Sequence, residues 1–166
     1  LDHFKFIREH AGDSTVKFTI PSPNMLHARA DKNSDVYQDE KELIEDTIKA
    51  YQKAIQAFYD AGCRYLQLDD TSWASLFSEE SRAKLVAEGK DPQQFLNTLQ
   101  YVINETTKNK PADMTITMHI CRGNYKSTFF SSGGYNYAAE VIFGGLNVDG
   151  LFLEFDDERS GSFEVL

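Results

Sequence analysis

Apolar and polar positions change period in a regular order along this chain. Short runs that alternate every second residue are separated by longer runs with helical spacing. "TVKFTI" (15–20) reads as a strand ended by Pro21-Ser22-Pro23. A polar loop follows. "DEKELIEDTIKAYQKAIQAFYDAG" then sets Ile44, Ile48, Tyr51, Ile55 and Phe58 at helical spacing, closing at Gly62, a common helix-stop residue. "RYLQLDD" (64–70) is the second strand. Helices are expected near 79–88 and 92–108, the latter opening at Asp91-Pro92. "DMTITMHI" (113–120) is the third strand, "YNYAAEVIFGG" (135–145) a short helix, and "GLFLEF" (150–155) the fourth strand.

Strand and helix in alternation imply an α/β fold with a parallel sheet and helices outside it. In the third strand Met114, Ile116, Met118 and Ile120 share one face, while Thr115, Thr117, His119 and Cys121 share the other. In the second, Leu66 and Leu68 oppose Tyr65, Gln67 and Asp69; in the fourth, Leu151, Leu153 and Phe155 oppose Phe152 and Glu154. The apolar face packs on helices and leaves the mixed face for a barrel interior or crevice. Asp69, His119, Cys121 and Glu154 all fall at the last positions of their strands. They therefore gather at the C-terminal edge, where parallel α/β folds place their sites.

The bulk numbers narrow the field. With 166 residues, 41% of them hydrophobic, the chain can bury one core and reads as one domain. No apolar run approaches the roughly 18 residues of a membrane helix, and no signal-peptide pattern opens the chain. No membrane partner and a cytoplasmic location are expected. A formal charge of −9 argues against nucleic acid, which needs clustered Lys and Arg. Two cysteines are too few for a disulfide scaffold and suit a reducing compartment. The chain begins with Leu and stops at Glu-Val-Leu without an evident cap, so it reads as part of something longer.

Histidine, cysteine and a carboxylate are a recognised zinc shell, combining borderline-soft nitrogen and thiolate donors with a hard oxygen. Such a site with one exchangeable position can bind a substrate thiol and hold it as thiolate at neutral pH. Cys63 cannot join the set. It precedes the second strand, six residues from Asp69, and at about 3.3 Å per residue that is on the order of 20 Å away. The same separation excludes a Cys63–Cys121 disulfide, and Cys63 reads as a small buried hydrophobe. Taken singly, His119 also reads as a structural histidine and Cys121 as a packing residue. Asp69-Asp70 reads equally as a capping or loop pair, and Glu154 with Asp156, Asp157 and Glu158 as a solvated turn. At this level the metal and structural readings stand side by side. His3, His10 and His27 read as surface residues, and Trp73 as core or pocket lining.

"DAGCRYLQLDD", followed by "MHICRGN" and then "VDGLFLEF", resembles the catalytic barrel of the cobalamin-independent methionine synthases. These are 5-methyltetrahydropteroyltriglutamate–homocysteine methyltransferases, and the likeness is closest to their shorter homologues. It runs from "VKFTIPSP" to "DDERSG". It implies a (β/α)8 TIM barrel of the methionine synthase/uroporphyrinogen decarboxylase type. Such a barrel takes about 250 residues, so this chain would supply about half and would not fold alone.

The resemblance further implies zinc on His119, Cys121 and Glu154, with a fourth ligand, a cysteine, outside this chain. The aspartate that holds the homocysteine amino group matches Asp69. There the family's "I-D-E-P" reads "LDDTS", with Asp70 for the glutamate and Thr71 for the proline. Where the family has a tryptophan for methylfolate, this chain has Arg29, which removes a stacking platform worth about 1 kcal/mol or more. The implied function is zinc-dependent methyl transfer from a methyltetrahydrofolate-type donor to homocysteine, giving methionine. Alternatives are a zinc thiol alkyltransferase with a corrinoid or other donor, a metal-free barrel hydrolase using Asp69 and Glu154, and an inactive barrel.

Overall fold

A computed structural model describes residues 1–29 and 35–166. Its centre is a sheet of four parallel strands: β1 (Lys17–Pro21), β2 (Tyr65–Asp70), β3 (Thr115–Ile120) and β6 (Gly150–Leu153), side by side in that order. The helices are α1 (Asp2–His10), α2 (Pro23–Arg29), α3 (Glu40–Asp60), α4 (Glu79–Ala87) and α5 (Pro92–Thr107). A 3-10 turn covers Ser72–Leu76, and a hairpin of β4 (Asn124–Tyr125) and β5 (Thr128–Phe129) leaves the end of β3. Among the described residues no helix is long and apolar enough to cross a membrane.

Local chemistry sets the element ends. Asp39 caps α3 by accepting from the Glu42 amide at 2.9 Å, and Asp91 caps α5 through the Gln94 amide at 2.7 Å with Pro92 beside it. The chain leaves α3 at Gly62, whose φ of +96° belongs to the left-handed region that glycine enters at little cost. A Cβ there would strike the Arg8 guanidinium, which donates to the Ala61 carbonyl at 2.6 Å. This contact ties α1 to the foot of the sheet.

Strand parity places the core on the helix-facing side. Leu66 and Leu68 stand in register with Ile116 and Met118, and all four are fully buried with Ile103, Leu76 and Trp73. Each such side chain contributes about 1.5–3 kcal/mol by leaving water. Trp73 is core, as is Cys63. The buried stripe of α3 runs through Leu43, Ile48, Ile55 and Phe58, so Leu43 rather than Ile44 leads it.

Other segments differ from the sequence expectations or go beyond them. The amino terminus is helical, and Phe4 packs edge-on against Phe18 and Phe58 beneath the strands. The loop after β1 opens with α2, where the Ser22 hydroxyl accepts from the Met25 amide. The helix expected over 135–145 is a single π-helical turn, Glu140–Gly144, preceded by a turn in which the Ala138 amide donates to the Tyr135 carbonyl at 2.8 Å. Strand β6 ends at Leu153, two residues early, because Glu154 has its backbone groups on a side chain instead.

Candidate metal centre

The carboxyl edge of the sheet is one transverse row. Pro21, Asp69, His119 and Phe152 are paired across β1, β2, β3 and β6. Just above the row, Cys121 follows β3 and Glu154 follows β6. One ligand atom each from His119, Cys121 and Glu154 lie within 4.8 Å of one another, and all three residues are half-buried. A single ion can bridge atoms so spaced.

The surroundings fix each donor. His119 Nδ1 lies 2.9 Å from the Phe152 carbonyl oxygen. A carbonyl only accepts, so Nδ1 carries the proton, and in the neutral ring that leaves the lone pair on Nε2. Cys121 Sγ accepts from the Gly123 amide at 3.2 Å, and the Cys121 amide donates to the Asp70 carbonyl at 2.8 Å. A Glu154 carboxylate oxygen accepts from the Arg122 amide at 3.3 Å. The set is chemically suited to zinc: a neutral imidazole nitrogen, a sulfur already receiving an N–H, and a carboxylate.

Asp69 stands in register beside His119, but it is not one of the three clustered residues. Its Oδ1 accepts from Gln67 Nε2 at 2.7 Å. Asp70, the other half of the pair, is buried and accepts from Ser22 Oγ (2.7 Å), Asn24 Nδ2 (3.0 Å) and the Ser72 amide (2.7 Å). It therefore knits the β1 loop to the end of β2. Arg29 ends α2, and its side chain lies outside what the structure describes.

The remaining candidates are apart from this edge or structural within it. Cys63 is at the opposite end of β2, its Sγ donating to the Tyr65 carbonyl, and burial pushes its thiol pKa up. His3 and His10 are exposed on α1, and His27 pairs with Glu40 at 3.1 Å. Asp157 organises a tight turn by accepting from the amides of Arg159 and Ser160 and from the Ser160 hydroxyl, which lowers its pKa.

Two neighbours of the site were not read from the sequence. Arg122 is fully buried, its guanidinium carbon 3.8 Å from the Phe77 ring centre and 4.3 Å from that of Tyr135. Desolvation lowers its pKa. The hydroxyl of buried Tyr135 contacts both backbone groups of Glu154. A signal for Arg122 existed: it falls in the apolar phase of Met118 and Ile120.

Fold and site together define an α/β protein with a parallel sheet and a His-Cys-Glu group at its carboxyl edge. No family model matches the chain. Two uncharacterized proteins of Bacillus subtilis (strain 168) are similar to it. YxjH is 52% identical over 166 residues and YxjG 53% over 167. Each match takes in 100% of this chain, which spans 44% of the relative's length. A solved structure is similar as well, that of the "putative vitamin-B12 independent methionine synthase" from Listeria monocytogenes. It is 51% identical with a TM-score of 0.77, over 95% of this chain and 45% of that one.

Proposed function

We propose that this chain is the metal-binding half of a (β/α)8 barrel that transfers a methyl group to the thiol of homocysteine. The observation that carries the reading is the convergence of His119, Cys121 and Glu154 within 4.8 Å at the carboxyl edge of the sheet. The likeness to the Listeria structure supports it. In this reading residues 1–166 form part of one catalytic domain in the cytoplasm, working on small molecules.

His119 would offer Nε2, Cys121 its sulfur and Glu154 a carboxylate oxygen, with a further cysteine from outside this chain. Zinc held there supplies a Lewis acid that keeps an acceptor thiol deprotonated at neutral pH. Asp69 accepts from the acceptor's ammonium group, its own carboxylate held in place by Gln67. The oriented sulfur bonds to the methyl carbon as that carbon's bond to the donor breaks. No side chain of the chain is required as a base in that step.

Metal analysis of the full-length protein, purified without chelators, tests the reading. One zinc per chain is expected, lost in His119→Ala and Cys121→Ser. A protein without stoichiometric zinc overturns it.

A second reading keeps the thiol chemistry and changes the donor. Arg29 stands where the resemblance calls for a tryptophan, which favours a donor that does not stack a pterin ring. Methyl-transfer assays comparing methyltetrahydrofolates with methylcorrinoids separate the two.

A further inference from the structure

Strand β6 stops at Leu153, so Glu154 lies just beyond the paired register. One side chain replaces the missing partner. The Tyr135 hydroxyl donates to the Glu154 carbonyl at 3.1 Å and accepts from the Glu154 amide at 3.2 Å. A phenol is suited to this double role, being donor and acceptor at one atom. The ring beneath is immobilised, with ring centres 4.9 Å from Phe77 and 4.8 Å from Phe155.

Arg122 extends the arrangement. Its amide reaches the Glu154 carboxylate, its guanidinium rests on the Tyr135 ring, and its Nη2 donates to the Ser160 carbonyl at 3.2 Å. Among the described residues, Nε and Nη1 are buried with no protein hydrogen-bond partner. Burying a cation this way is costly, and an apolar residue would pack there more cheaply. The residue directly follows Cys121, so one segment joins the thiol arm to the carboxylate arm. Orphaned buried donors call for a reason, and this location offers one.

We propose that Tyr135 and Arg122 are positioning residues that hold Glu154 against the His119–Cys121 pair, setting the geometry of the metal centre. The inference rests on the metal reading above. Tyr135 fixes the backbone from which the carboxylate springs. Arg122 fixes the ring of Tyr135 and, through Ser160, the loop that follows Glu154.

The test uses the full-length protein loaded with zinc or cobalt(II). Tyr135→Phe keeps the ring and deletes the hydroxyl. Zinc affinity, measured by chelator competition, is expected to fall ten- to a hundredfold, the usual effect of losing a hydrogen-bonding partner behind a metal ligand. The cobalt d–d bands should change while the thiolate charge-transfer band persists, because Cys121 remains. Arg122→Lys should weaken affinity in the same direction. Phe143→Leu, which trims a ring 5.8 Å from that of Tyr135 without touching the hydroxyl, should leave affinity and spectrum at parental values.

Parental affinity and spectrum in Tyr135→Phe overturn the proposal, as does equal weakening in Phe143→Leu, which would mark a general packing effect. If Tyr135→Phe fails to fold, Arg122→Lys decides on the same readouts. A parent protein that binds neither metal overturns the metal reading itself, a different result from a parent that binds and a variant that binds equally well.

Discussion

The imidazole of His119 donates from Nδ1 to the carbonyl oxygen of Phe152, its register partner on the adjacent strand, at 2.9 Å. This bond aims Nε2 away from the sheet backbone and fixes the tautomer that a metal requires. His119→Gln keeps a polar group but not the ring nitrogen. Its loss of zinc affinity should exceed the roughly ten- to hundredfold typical of outer partners. The half-buried position predicts little change in folding. Chelator competition and thermal melts on the same samples check both halves.

Asp70 makes a contrasting prediction. Its buried carboxylate accepts from Ser22, Asn24 and the Ser72 amide, so removing it strands donors from two loops. Asp70→Ala should cost about 3 kcal/mol or more in urea unfolding, by the usual penalty for breaking buried charged hydrogen bonds. A purely substrate-binding Asp70 would instead leave stability unchanged.

The two cysteines should differ in reactivity. Cys121 is half-buried and Cys63 fully buried. In metal-free full-length protein, thiol labelling mapped to individual cysteines should modify Cys121 quickly and Cys63 only after unfolding. Zinc should suppress the first. Cys63→Ala should leave the labelling rate of Cys121 unchanged.

Alkaline stability follows from the same burial. Desolvation raises the pKa of the Cys63 thiol and, as its largest cause, that of the Tyr135 phenol. Folding thus favours the protonated forms. The stabilisation is fully present below the ordinary values of about 8.5 and 10 and is lost as pH climbs through the raised folded ones. Melting temperature should fall across that alkaline window. Cys63→Ala should remove the lower part of the decline and Tyr135→Phe the upper.

Much of this architecture is legible in the chain because parallel strands and long helices leave strong periods. Strand parity set Leu66 and Leu68 opposite Gln67 and Asp69, and Met118 and Ile120 opposite His119. The structure brings His119, Cys121 and Glu154 to one edge for that reason. What escaped had no period to show. Helix α1 buries only Phe4, and α2 spans seven residues, although Ser22-Pro23 is a helix-start signal. The β4–β5 hairpin turns through Lys126 and Ser127 at positive φ without the glycine that usually marks such a turn. Asp70 and Arg122 lie in the apolar phase of their strands, a visible sign of buried charge. The Tyr135–Glu154 contact spans 19 residues and has no pattern of its own.

Asp69 supplies the test that separates substrate orientation from metal binding. It stands beside His119 but outside the ligand cluster, and Gln67 engages only its Oδ1. Under the proposed function it accepts from the ammonium group of homocysteine. Asp69→Asn removes that charge and should raise KM for homocysteine by about tenfold to a hundredfold, the 1.5–3 kcal/mol of a charged hydrogen bond, while zinc content stays parental. With 4-mercaptobutanoate, the same acceptor lacking its amino group, parent and variant should perform alike, because no ammonium remains to recognise. Equal losses with both thiols would place Asp69 in the metal chemistry or the fold instead. Unchanged kinetics with homocysteine would remove it from the site altogether.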